Sequence, residues 1–149
     1  MSRRVAVPLI ALGVIAFLVI SFFVARWLST ENNERDAVYA ILQAQARGDA
    51  RAMLGRLDGC ARAPRCRETV RANARRLRRP GEVKILAYDS ATAYALGSAS
   101  GPTRVAWTVV DRGLPVVQCV DVRRSGNVLG GRAITLEALS PPIGNQASC

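Results

Sequence analysis

Four cysteines, one carboxylate and a row of arginines are the residues of this chain whose types and spacing could do chemistry. Cys60 and Cys66 bracket the loop Cys-Ala-Arg-Ala-Pro-Arg-Cys, Cys119 lies in an apolar run, and Cys149 stands thirty positions later. Four cysteines allow three pairings. Proximity, with Pro64 stiffening the loop, favours Cys60–Cys66, which leaves Cys119–Cys149 to fasten the C-terminal tail onto the sheet. Buried free thiols are the plain alternative. Metal ligation needs clustered ligands, and the chain has no histidine and no Cys-x-x-Cys spacing. No metal and no cofactor is therefore expected, and no Gly-rich phosphate loop is present; Gly130-Gly131 reads as a bulge within a strand. Asp121 follows Cys119 on one strand face, and Tyr39, Tyr88 and Tyr94 are the only phenols. If Asp121 points inward beside a phenol, desolvation would raise its pKa towards that of a general base. The alternative is a solvated Asp121 paired with Arg123 or Arg132.

The arginines are more numerous. The chain carries 21 basic and 11 acidic residues, a formal net charge of +10. Nine arginines fall between Arg56 and Arg79 against Asp58 and Glu68. Arg67, Arg71, Arg75 and Arg78 recur about one helical turn apart, where like charges repel by a few tenths of a kcal/mol per pair. A helix carrying them must therefore be maintained by its packing face. Such a row suits anionic lipid headgroups or an acidic wall polymer; a plainly solvated face is the alternative. Nucleic acid is not expected, since the domain reads as external and has no run of aromatic residues for stacking.

That external placement rests on the apolar run from Val5 to Ala25, flanked by Arg3-Arg4 and Arg26-Trp27. As a helix it spans roughly 30 Å, the thickness of a bilayer's hydrocarbon core. It is apolar all round, unlike a core helix with one polar stripe. A cleaved signal has a shorter apolar stretch and a small residue before the cut; a cut after Ala25 would place Phe23 there. The reading is a cytoplasmic tail at residues 1–4, a membrane anchor at 5–27 and an extracytoplasmic domain at 28–149. The arginines of the short tail keep it inside, and the even cysteine count agrees with an oxidising exterior. Partners would be the lipid bilayer and an anionic surface or a membrane protein complex.

Residues 31–149 suffice for one domain. Thr30 and Asn33 are candidate caps, and Glu31, Glu34 and Asp36 suit the positive end of a new helix. Val38, Ile41, Leu42, Gln45 and Ala46 form its inner face. Gly48 ends it and Asp49 caps a second helix, with Met53, Leu54 and Leu57 inward. Pro64 opens a third, which packs through Cys66, Val70, Ala74 and Leu77 and stops at Pro80-Gly81. The period then changes from 3.6 to 2. Strands are predicted over Val83–Tyr88, Ala91–Leu96, Arg104–Val110, Pro115–Arg123 and Val128–Leu139, joined by hairpin turns. Val105, Trp107 and Val109 alternate with Ala106, Thr108 and Val110, so both faces are rather apolar and part of the sheet should be covered on both sides. The class is α+β: an N-terminal transmembrane helix, then three helices on a curved antiparallel sheet of four to five strands.

This layout resembles small actinobacterial membrane-anchored proteins whose external domain has the cystatin-like cone of nuclear transport factor 2-like domains. The matching features are the anchor, the turn Ala44-Gln45-Ala46-Arg47-Gly48-Asp49, Gly81-Glu82-Val83 opening the sheet, and the final strands. The resemblance implies a cone-shaped fold that hosts both binding modules and small lyases or isomerases, so fold does not select function. A single-pass accessory or binding module is the first expectation; a cone enzyme using an inward Asp121 is the second. A side-chain-filled cone would favour the module, and a polar pocket where an acid meets a phenol would favour the enzyme.

Overall fold

The periodicities read above become three helices and four strands. The computed structural model describes residues 3–92, 97–110, 112–127 and 131–149. The elements run α1 (Arg3–Arg47), α2 (Ala50–Arg56), α3 (Pro64–Arg76), β1 (Val83–Ser90), β2 (Ala99–Val109), β3 (Arg112–Asn127) and β4 (Gly131–Leu139). The strands form one antiparallel sheet in the order β1-β2-β3-β4, the α+β class expected. Of the predicted strand Ala91–Leu96, residues 91 and 92 lie in a turn and 93–96, including Tyr94, lie outside the described residues. Val128, Leu129 and Gly130, with the bulge expected there, also lie outside them. The strand that pairs with β1 is the longer β2.

The largest departure is at residues 28–34. No helix begins there, because α1 is one helix of 45 residues. The stretch Leu28–Glu34 is polar but contains neither Pro nor Gly to stop a helix. Ser29 donates its hydroxyl back to the Ala25 carbonyl at 2.8 Å, within the helix, rather than capping a new one. Within α1, Val7–Arg26 is long and apolar enough to cross a membrane, and none of it is buried against the rest of the chain.

The C-terminal half of α1 packs as predicted: Val38, Ile41, Leu42, Gln45 and Ala46 are fully buried. Gly48, at φ +77°, ends the helix. Its N–H donates to the Gln45 carbonyl and the Asp49 N–H donates to the Ala44 carbonyl, the two bonds of a Schellman turn. Asp49 then caps α2, accepting from the Ala52 N–H at 2.9 Å. Met53 and Leu57 from α2, and Val70, Ala74 and Leu77 from α3, complete the helical side of the core. Opposite them lie Val105, Trp107 and Val109 of β2 and Val116, Val120 and Val122 of β3.

Two bulges set which strand residues face this core. In β1 the register shifts between Ile85 and Ala87, leaving Leu86 outside the pairing. Val83 is buried, Leu86 is exposed, and Tyr88 packs against the core opposite Val105. Without the extra residue, alternation would turn Asp89 inward and Tyr88 out. In β4 the shift falls at Glu137, so that Leu136 and Leu139 both face inward against Val122 and Val120.

Both predicted disulfides are formed, with Cα separations of 5.3 Å for Cys60–Cys66 and 5.8 Å for Cys119–Cys149. Beyond β4 the tail continues along β3: the Ser140 and Ile143 N–H groups donate to the Cys119 and Val117 carbonyls. Arg104, paired with Cys119 in the β2–β3 register, donates to the Ala147 and Asn145 carbonyls. The tail thus covers part of the sheet's outer face, while the helices cover the inner one.

Candidate functional site

The sequence candidates are spread over the molecule rather than gathered. Asp121 is exposed, on the outer face of β3, because the inward positions are Val120, Val122 and Arg124. The inward Asp121 needed for a general base is therefore corrected. Its expected partner Arg123 instead pairs with Glu137 and, at 3.8 Å, with Asp58; the Arg132 side chain lies outside the described residues. Among the described residues no three Cys, Asp or Glu side chains converge to hold a metal ion. All four cysteines are in bridges.

The polar centre that does exist was not singled out from sequence. Glu34, one turn before Val38 on the buried stripe of α1, is fully buried, and Arg124 is 1% exposed. One carboxylate oxygen accepts from the Tyr88 hydroxyl at 2.7 Å and the Thr103 hydroxyl at 3.0 Å. The other accepts from the Thr92 hydroxyl at 3.1 Å and Arg124 Nε at 2.6 Å. Arg124 Nη2 stands 2.5 Å from that second oxygen but makes no hydrogen bond with it. Arg35 lies over the Tyr88 ring, 5.5 Å from its centroid. Glu34 was assigned to the dipole of a helix start; with α1 continuous, its partner is a guanidinium across the core.

An acid and a phenol therefore do converge, but in a closed arrangement. Burial pushes the Glu34 carboxyl up, and the bonds from Tyr88 and Arg124 outweigh it and hold the carboxyl below its ordinary value. Burial and the Glu34 carboxylate push the Tyr88 phenol well above its ordinary value. Both oxygens are occupied by donors, so this carboxylate lacks the free lone pair and the raised pKa of a general base. A second network crosses the core nearby. Gln118 accepts from Gln45 at 2.8 Å and Trp107 Nε1 at 2.9 Å, and donates to the Ser140 carbonyl at 2.9 Å. Asn73 of α3 donates to the same carbonyl at 2.9 Å. Side chains of the helices and the sheet thus bond to one another across the core along this line.

An open groove of about 650 Å³ lies between Ala37 of α1, residues 55–59 at and beyond the end of α2, and residues 134–136 of β4. The Asp58 N–H donates to the Leu136 carbonyl at 2.7 Å across its floor, so backbone closes it towards the core. Of the predicted arginine row, Arg71, Arg75 and Arg78 are exposed, but α3 ends at Arg76, four residues before Pro80, so Arg78 lies beyond the helix; Arg67 is half-buried and donates to the Ala61 carbonyl at 3.2 Å. α3 is held through its apolar face, as its charge spacing required. Comparisons with protein-family models, with curated proteins and with solved structures return no match to this chain.

Proposed function

We propose that the chain is a single-pass, membrane-anchored binding module whose cystatin-like domain faces the cell exterior. The observation that carries it is the run Val7–Arg26, wholly exposed and continuous with the helix that forms the domain core. Exposing that much apolar surface to water is unfavourable by roughly 25 cal/mol per Å², and insertion in lipid removes the penalty. Two disulfides in one small domain support an oxidising compartment on the far side. The mutual hydrogen bonding around Glu34 and Gln118 supports a module over a lyase or isomerase, because the acid–phenol pair is already engaged.

Retention of the anchor is tested on the mature chain. After expression with its own N-terminus, intact mass should include residues 7–26, and the chain should stay with the membrane pellet through an alkaline carbonate wash. A soluble chain beginning near Trp27 would show a cleaved signal and overturn the anchor.

A further inference from the structure

With the apolar run of α1 in lipid along the bilayer normal, the continuity of the helix sets the height of the arginine row above the bilayer. At 1.5 Å per residue, Ala37 lies about 16 Å and Gly48 about 33 Å beyond Arg26 along α1. The loop before α3 flanks the groove at Ala37, and the Arg78 side chain lies over Gly48, where an added Cβ would come within 3.0 Å of it. α3 and the residues after it therefore climb away from the membrane, with Arg67 lowest and Arg78, beyond the helix end, highest. Charges separated from a headgroup layer by more than the Debye length of about 8 Å are largely screened from it. The lipid of its own bilayer is thus poorly placed to neutralise Arg71, Arg75 and Arg78.

We propose that this stripe binds a linear, phosphate-bearing anionic polymer lying above the membrane. Among the described residues, ion pairs are made by Arg104, Arg123 and Arg124 and by none of these exposed arginines. Guanidinium forks pair bidentately with phosphate oxygens, and Arg71 and Arg75, one turn apart on α3, with Arg78 just beyond its end, match a chain of charges better than a single ion. An acidic protein is the competing partner. A protein interface needs a buried apolar centre broader than one side chain; α3 exposes no large hydrophobic side chain, and Leu114, whose carbonyl accepts from Arg79, stands exposed beside it. The proposal deepens the external-module reading and rests on it for the polymer's location.

The test uses the full chain in phosphatidylcholine nanodiscs, titrated with long-chain inorganic polyphosphate. Three neutralised phosphates predict a slope of log affinity on log salt near −2, or about a 20-fold loss between 50 and 200 mM. The double variant Arg71→Gln/Arg75→Gln should cut the slope to about a third. Lys84→Glu on β1, which lowers net charge by the same two units, should leave the slope unchanged. Both variants should keep the wild-type melting curve, because Val70, Ala74 and Leu77 carry the packing of α3. Absence of binding at 50 mM, or equal effects of the two variants, would overturn the proposal. So would tighter binding of poly-glutamate, which would assign the surface to an acidic protein. The contrast between variants should persist in phosphatidylglycerol discs; its loss would place the stripe on its own bilayer. Discs expose both sides, so this outcome is independent of where the domain resides in the cell.

Discussion

Glu34 and Arg124 hold one end of the sheet to α1. Removing one partner of a buried pair leaves the other charge without compensation, an effect of about 3–5 kcal/mol. Glu34→Gln should lower stability by that amount in chemical denaturation. Tyr88→Phe, which removes one hydrogen bond and leaves the ion pair, should lose only about 1–2 kcal/mol. Because folding lowers the Glu34 pKa, its contribution is fully present above the ordinary value of 4.5 and disappears as pH falls through the depressed folded value. The melting temperature of the wild type should therefore drop on acidification below pH 4.5 more steeply than that of Glu34→Gln. The pair was legible in principle. Glu34 continues the stripe of Val38, Ile41 and Gln45, and Arg124 continues the alternation of Val120 and Val122. Each charge falls in phase with buried neighbours, but the supposed helix start at Thr30–Asn33 gave Glu34 another explanation.

At the scale of elements, the local chemistry of turns was the most readable. Gly48-Asp49 combines a left-handed C-terminal turn with the cap of α2, and both roles follow from the residue types. Gly48→Ala should destabilise by about 1–2 kcal/mol, since the φ of +77° strains any Cβ and the added carbon would also press on the Ala74 carbonyl at 3.2 Å. The disulfide pairing was also readable, from loop length and elimination. Loop-closure entropy predicts a loss of about 2 kcal/mol for Cys60→Ser/Cys66→Ser and about 3.5 kcal/mol for Cys119→Ser/Cys149→Ser. Thermal melts of the two double variants would rank them. Strand phase was less readable. The bulges at Leu86 and Glu137 reverse which side chains face inward, and neither position carries the Gly that signals a bulge in sequence. Asp121 was misplaced for a related reason: both faces of β3 are apolar around it, so alternation alone did not say which face was buried.

Over the whole molecule, one helix joins the apolar run Val7–Arg26 to the core, and the tail is clipped to the sheet's outer face. The apolar span was the plainest sequence signal. The missing boundary between anchor and domain was not, because a polar stretch without Pro or Gly is compatible with both a linker and an uninterrupted helix. The proposed position of the domain, outside the membrane on its own anchor, is tested directly by a reporter fused after Cys149, using one enzyme active only when exported and a second active only in the cytoplasm. Activity is expected from the first alone, together with mapping of both disulfides in the mature protein. Activity from the cytoplasmic reporter, with free thiols at the four cysteines, would contradict it.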